Sequence, residues 1–361
     1  MEKIKRVAVD IFFEEWATRS QDTTYEMFKP IAYNVRGCYA DIDALEGIPV
    51  DEFVSMMFID GCFLVLVLCY ILEHGESTAR LRSITQPHFN SITRDMMLLE
   101  NQIPWPVIEF FMALLRDPLP MGEIVHFLTE RFSVRNTQKI LSVDTDENKP
   151  SHFLSLAQFC LTFMEPDEEN KPLEVPLEYM QFVTSAAELA EMGIKLEASS
   201  SMQFSLMTAT KGCLFPKISL PPLSLDSVSA CWLVNMAAFE ICRGGNDCGM
   251  INSYLCTIAV LMNQEEDVRE LRAKGIVHGF FSDQQILEFV SGLAPDLRPG
   301  EAYSLLMFKL AAYRYKKRVW IAIYRFFYNN AKTIATVLPI ISVLVGIFKA
   351  LLSLKQKQQC Q

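Results

Sequence analysis

The sequence lacks the short patterns that announce a common enzyme. Its 361 residues contain no G-x-S-x-G elbow, no H-E-x-x-H pair, no P-loop and no G-x-G-x-x-G turn. The usual hydrolase, zinc-protease and nucleotide-binding sites therefore have no starting point. The five histidines, His74, His88, His126, His152 and His278, stand far apart without ligand spacing. None of the ten cysteines belongs to a C-x-x-C pair. Cys242 and Cys248 flank Arg243–Asp247, but zinc needs further ligands at workable spacing, so a turn is the simpler reading. No metal and no cofactor are expected. Cys62 and Cys69 lie in an apolar run and read as buried thiols of a reducing compartment. No N-x-S/T sequon occurs, which fits a body that stays out of the secretory lumen. The opening MEKIKRVAVDIFFEEW has no uncharged stretch longer than three residues, so no signal-peptide core is expected there. Internal repeats and low-complexity segments are absent too.

A basic surplus is also missing. There are 33 Lys and Arg against 43 Asp and Glu, for a formal net charge of −10. An acidic body argues against nucleic acid as a partner, because phosphate binding needs a basic face. The charge is unevenly spread, however. Glu301 to Gln361 holds ten basic residues and one acid, so this tail carries +9 and the first 300 residues carry −19. Half of the chain is apolar, 21% is charged and the mean hydropathy is +0.17. That composition excludes disorder and collagen-like repeats and provides for a large core.

The basic tail surrounds an apolar run. Thr333 to Phe348 is 16 uncharged residues, and the run resumes after Lys349 through Leu354. The 22 residues from Thr333 to Leu354 extend about 33 Å as a helix, enough for a hydrocarbon core of about 30 Å. Pro339 would kink such a helix, which membrane helices tolerate, and Lys349 can snorkel from near its end. Trp320, Tyr324 and Tyr328 precede the run as interface markers. Arg314, Lys316, Lys317, Arg318, Arg325 and Lys332 form a basic juxtamembrane cluster, against Lys355 and Lys357 beyond the run. The positive-inside rule then keeps the body in the cytosol, and the cluster attracts anionic headgroups. The expected location is the plasma membrane, with other endomembranes as the alternative. The chain thus divides into a helical body over 1–312, a basic segment over 313–332, a spanning helix over 333–354 and a tail over 355–361.

The body reads as mainly α, one helical domain with a small β-hairpin or sheet insertion. The apolar run Gly61 to Leu72 is 12 residues, too short to span, and reads as a buried core helix. Leu177, Met180, Val183, Ala187, Ala190 and Ile194 recur at helical spacing. Asp226 can cap the helix carrying Val228, Cys231, Trp232 and Met236, and Ser282 with Gln285 makes a capping box. The stretch from Asn252 to Arg272 is apolar through Met262, then turns acidic, and ends at Gly275, a C-terminal cap. Met202, Phe204 and Leu206 alternate with polar residues before the Lys211-Gly212 turn and Cys213–Phe215, and Ile218 and Leu220 follow: the sheet signal. Acidic loops Asp144–Pro150 and Glu165–Pro176 bracket a short helix.

Polar groups inside apolar surroundings are the remaining candidates. Asp60 interrupts MMFIDGCFLV, while Arg94, Asp95, Glu100 and Asn101 surround MMLL. These five are structural buried polar candidates, and buried charges must pair, so an Asp60–Arg94 bridge is expected. A catalytic carboxylate is the sharper alternative.

The same segments carry a family resemblance. Cys38 to Leu68, with its Glu52-Phe53 and Asp60-Gly61-Cys62-Phe63, is similar to the signature of the plant "domain of unknown function 247" family, also called uncharacterised protein family 0481. Arg94 to Phe111, RDMMLLENQIPWPVIEFF, resembles its second hallmark, and Ser185 to Glu197 a third. Pro221-Pro222-Leu223, Ala238-Phe239-Glu240 and EDVRELRAKGI match further on. The resemblance covers nearly the whole chain, shortened at the start: the family's Gly-Pro-Tyr-His-His-Gly type opening is missing. It implies a C-terminal hydrophobic segment and, through relatives linked to pollen–stigma recognition in grasses, partner recognition rather than catalysis.

The leading expectation is a membrane-anchored plant protein that works by protein–protein contact or signalling and not as an enzyme. The alternatives are an enzyme with a site around Asp60, Arg94 and Glu100, and a soluble oligomer assembled through its C-terminal helix.

Overall fold

The computed structural model describes residues 1–39, 47–74, 79–132, 149–162, 184–200, 203–204, 207–210, 216–244 and 249–359. The chain begins with α1 (Glu2–Ile11), which turns Ala8, Val9 and Ile11 inward and runs on through a π-helical turn, Phe12–Trp16. α2 (Gln21–Val35) and α3 (Val50–Ile71) follow. α3 is apolar on nearly every side, and Gly61 to Cys69 are buried without a break. A helix with no polar face must be enclosed. The enclosure comes from α1, α2 and, after α4 (Ala79–Thr85) and α5 (Phe89–Asp95), from α6 (Trp105–Met112). α3 is long and apolar enough to span a membrane, yet 67% of its apolar window is buried by the protein itself. The Gly61–Leu72 run is thus core, as its length implied.

Phenylalanines fill the space between these helices. Phe58 and Phe111 meet edge to face at 5.3 Å, and Phe28 and Phe12 lie 5.5 and 5.9 Å from Phe111. Such edge contacts are favoured by the ring quadrupoles. Gly61 makes the packing possible: a Cβ there would stand 2.5 Å from Val107 Cγ1.

α7 (Met121–Glu130), α8 (Phe153–Thr162) and α9 (Ala186–Glu191) lead to the sheets. α8 is the short helix expected between the two acidic loops; most of those loops lies outside the described residues. So do Leu177, Met180 and Val183 of the expected periodic helix. Its described end differs from expectation. α9 stops at Glu191, Gly193 adopts φ +75°, and the chain enters β1 (Lys195–Ala198). Glycine takes that left-handed geometry without a Cβ clash and so ends the helix before Ile194.

The small sheet is present. β2 (Thr208–Thr210) pairs antiparallel with β3 (Lys217–Leu220), and β1 joins β3 in parallel, giving the order β1-β3-β2. Of the expected alternating stretch, Phe204 is described, buried and stacked on Tyr254 at 4.1 Å. Met202, Leu206 and the Lys211–Phe215 turn lie outside the described residues. β4 (Leu223–Leu225) follows, and then α10 (Ser227–Arg243), α11 (Met250–Leu261) and α12 (Glu265–Ala273). β5 (Val277–Gly279) returns to pair in parallel with β4.

Caps define the helix ends here. Asp226 accepts from the Val228 and Ser229 amides and starts α10, as expected. The stretch from Asn252 to Arg272 holds two helices, divided where its apolar part gives way to its acidic part. Gln264 and Asp267 form a reciprocal capping box that begins α12 afresh, and Gly275 closes it at φ +70°. Ser282 and Gln285 cap α13 (Asp283–Leu293) reciprocally.

Three helices end the chain. α14 (Glu301–Lys316) packs on α11 with Tyr303, Leu306, Met307 and Leu310 buried. α15 (Arg318–Asn329) touches α9, and α16 (Ala331–Gln359) contains Pro339 without interruption. Among the described residues after Tyr313, Ile321 is the one buried side chain.

Candidate functional site

Two regions concentrate the polar and apolar groups that packing leaves available: a small cleft on α3 and the C-terminal helices. The cleft has a volume of about 210 Å³. α3 contributes Asp60, Phe63, Leu64 and Val67; α1 contributes Met1 and Lys5; α5 and the turn after it contribute Ile92, Asp95, Met96, Asn101, Gln102 and Ile103. Phe153 closes it from α8. Of the five polar candidates, Asp60, Asp95 and Asn101 line this cleft, and Arg94 and Glu100 do not.

Asp60 is bound differently from the expectation. Its Oδ1 accepts from Lys5 Nζ at 2.7 Å, and Lys5 also reaches Glu2 at 3.2 Å. α1 packs directly along α3, so Lys5 lies closer to Asp60 than Arg94, which sits on the exposed face of α5. Asp95, Glu100 and Asn101 are exposed as well, which corrects their reading as buried groups. Asp60 alone of the five is half-buried, with 21% of its side chain exposed. Burial pushes the Asp60 carboxyl above its ordinary value, Lys5 opposes that shift, and Glu2 adds to it. For Lys5, burial pushes down, while Asp60 and Glu2 together push its amine above its ordinary value. The two shifts weigh the bridge differently. The 2.7 Å contact and two acids around one amine favour the charged pair.

Lys5 was not visible as a candidate. The signal was its spacing from Ala8 and Phe12, which places it on the inward face of α1. Other motif residues have their polar atoms committed to backbone. Gln102 accepts from the Leu154 amide at 2.9 Å and donates to Leu98 and Met96 carbonyls at 2.7 and 3.0 Å. Glu240 accepts from the Ile251 and Asn252 amides, both at 2.9 Å, and caps α11. Asp267, fully buried, accepts from Ala187, Asn263 and Gln264 amides at 3.0 to 3.2 Å. These carboxylates and amides satisfy orphan donors of neighbouring helices, so they fasten elements together. Among the described residues no group of three His, Cys, Asp or Glu could hold a metal ion.

The tail has the opposite character. Arg314, Lys316, Lys317, Arg318, Arg325 and Lys332 are all exposed, and Arg325 meets Glu191 at 3.2 Å. Thr333, Pro339 and Lys349 are exposed on α16, and Leu354 lies within the same helix. Ala331–Lys349 forms a 19-residue stretch with mean hydropathy 2.0, none of it buried.

No solved structure matches the chain. An Arabidopsis thaliana protein of uncharacterised protein family 0481 is 24% identical over 268 residues, covering 68% of this chain. The chain spans about half of that relative, since the match covers 55% of its length. A plant family described as proteins of unknown function, domain of unknown function 247, matches residues 1–345. The match takes in the Asp60-Gly61 segment on α3, the Gln102 turn and the Glu240 and Asp267 caps, and the chain belongs to that plant family.

Proposed function

We propose that this protein is held at a membrane by α16, with its body in the cytosol, and that it acts through contact with a protein partner. The observation that supports this is the 19-residue apolar stretch Ala331–Lys349, of which no part is covered by the body. As a helix it is about 28 Å long, matching a hydrocarbon core of about 30 Å. Water is a poor solvent for such a surface, whereas acyl chains are a good one. Every backbone donor inside a helix is satisfied internally, which a bilayer requires. The exposed cations Lys316, Lys317, Arg318 and Lys332 precede the stretch and favour a cytosolic body. Action by contact is supported by Gln102, Glu240 and Asp267, whose polar atoms are committed to backbone groups.

Glycosylation mapping tests the orientation. The chain has no sequon of its own, so one added after Gln361 reports only on the tail. The expected result is a glycosylated tail tag and an unmodified tag ahead of Met1. An unmodified tail tag together with a single oligomeric peak in detergent-free size exclusion would support assembly through α16 instead.

A further inference from the structure

α15 is built the wrong way round for a helix that faces water. Ile321 is its buried residue, at 7% exposure, and Arg325 one turn later bridges to Glu191 on α9. A surface helix normally presents polar residues opposite such a contact. Here the opposite face carries Val319, Trp320, Ile323, Phe326 and Phe327, all exposed. At about 100° per residue these five fall within an arc of roughly 120°, centred away from the body. Arg318 and Asn329 fall on the flank between that arc and Ile321.

The surroundings of the face identify its occupant. Lys316, Lys317 and Arg318 stand at its start, and Lys332 lies just beyond its end, all exposed. A second copy of the helix would bring these like charges together, whereas an anionic lipid surface complements them. Asn330, at φ −105° and ψ 11°, separates α15 from α16, so the two helices need not share an axis.

We propose that α15 is an in-plane membrane helix, laying Val319, Trp320, Ile323, Phe326 and Phe327 into the headgroup layer of an anionic leaflet while Ile321 and Arg325 hold the body against it. This deepens the anchoring reading and rests on it for geometry. The body would then be fixed at one height and orientation above the bilayer instead of swinging on a single span. The apolar face with flanking cations is the usual composition of such interfacial helices.

The tryptophans provide the test. Trp16, Trp105 and Trp232 are 8%, 4% and 0% exposed, and Trp320 is 44% exposed. Full chain is reconstituted into vesicles of phosphatidylcholine and phosphatidylserine, with and without bromine on the acyl chains near the headgroup. Trp320→Phe defines the share of emission that belongs to Trp320. The expected result is that brominated lipid removes that share from the wild type and has little effect on Trp320→Phe. Quenching of Trp320 by aqueous iodide but not by bromolipid overturns the proposal, as does shielding from both, which would mark a protein contact. Carbonate washing of the same vesicles reads α16 separately: retained protein with unquenched Trp320 sinks only the in-plane helix. Released protein whose Trp320 was quenched before the wash sinks only the span.

Discussion

Gly61→Ala should destabilise the protein although it improves the helix it sits in. Glycine inside a helix costs about 1 kcal/mol relative to alanine, so propensity alone predicts a gain. The structure places the new Cβ 2.5 Å from Val107 Cγ1 and 2.9 Å from Phe111 Cδ2 and Cε2. Carbon pairs are comfortable at about 3.5–4.0 Å, so α6 or its side chains would have to move by about 1 Å. That movement meets Phe58, Phe28 and Phe12, which all pack on Phe111. Overpacking of this kind costs about 1–3 kcal/mol. With contacts this short the upper half of that range applies, leaving a net loss of about 1–2 kcal/mol. Gly292→Ala is the matched control. Gly292 is on α13, is exposed, and nothing stands within 4 Å of its Cβ direction. There the same substitution should stabilise by about 0.5–1 kcal/mol. Urea titration of full chain in mild detergent, followed by tryptophan emission, compares the two midpoints. A Gly61→Ala midpoint equal to or above wild type would refute the close α3–α6 contact.

Two further outcomes follow from the caps and the partly buried imidazole. Asp226→Ala removes the α10 cap and a carboxylate that takes Arg131 Nη2 at 2.7 and 2.9 Å, and should cost about 2–3 kcal/mol by the same titration. Asp226→Asn, which keeps a capping oxygen but not the charge, should recover part of that loss; equal costs for both variants would contradict the contribution of the cap. Burial holds His152 neutral, with its pKa down at about 4 from an ordinary 6.5. Its ring packs on Phe239 at 4.8 Å and accepts from the Ser155 amide at 3.2 Å. The unfolded chain therefore binds the extra proton first, and stability should fall as pH drops from about 6.5 to about 4. His152→Gln should flatten that part of the profile, and an identical slope in wild type and variant would show that His152 is not its source.

Much of the helical architecture could be read from residue spacing because caps and apolar runs act locally. Asp226, Ser282 and Gly275 each do at close range what their residue types allow, and the Gly61–Leu72 run is apolar on every side and buried by its neighbours. The sheet was legible in kind but not in register. Three or four paired residues per strand involve partners that local alternation does not report. Asp60 shows the same limit. Its isolation in apolar sequence announced a bridge, but Lys5 lies 55 positions away on a helix that only the fold brings alongside. Exposure of Arg94 and Glu100 was likewise decided by which way α5 and the turn at Leu99–Asn101 face. The tail was legible as charge and hydropathy, whereas the outward apolar face of α15 needed the position of Ile321 and Glu191 to give the helix an inside.

The most direct measurement is sodium carbonate extraction of the full chain beside a chain ending at Asn330, both expressed in plant cells. Anchoring by α16 predicts that the full chain stays in the membrane pellet and that the shortened chain is released into the supernatant. Release of the full chain by carbonate, or equal retention of both chains, would contradict it.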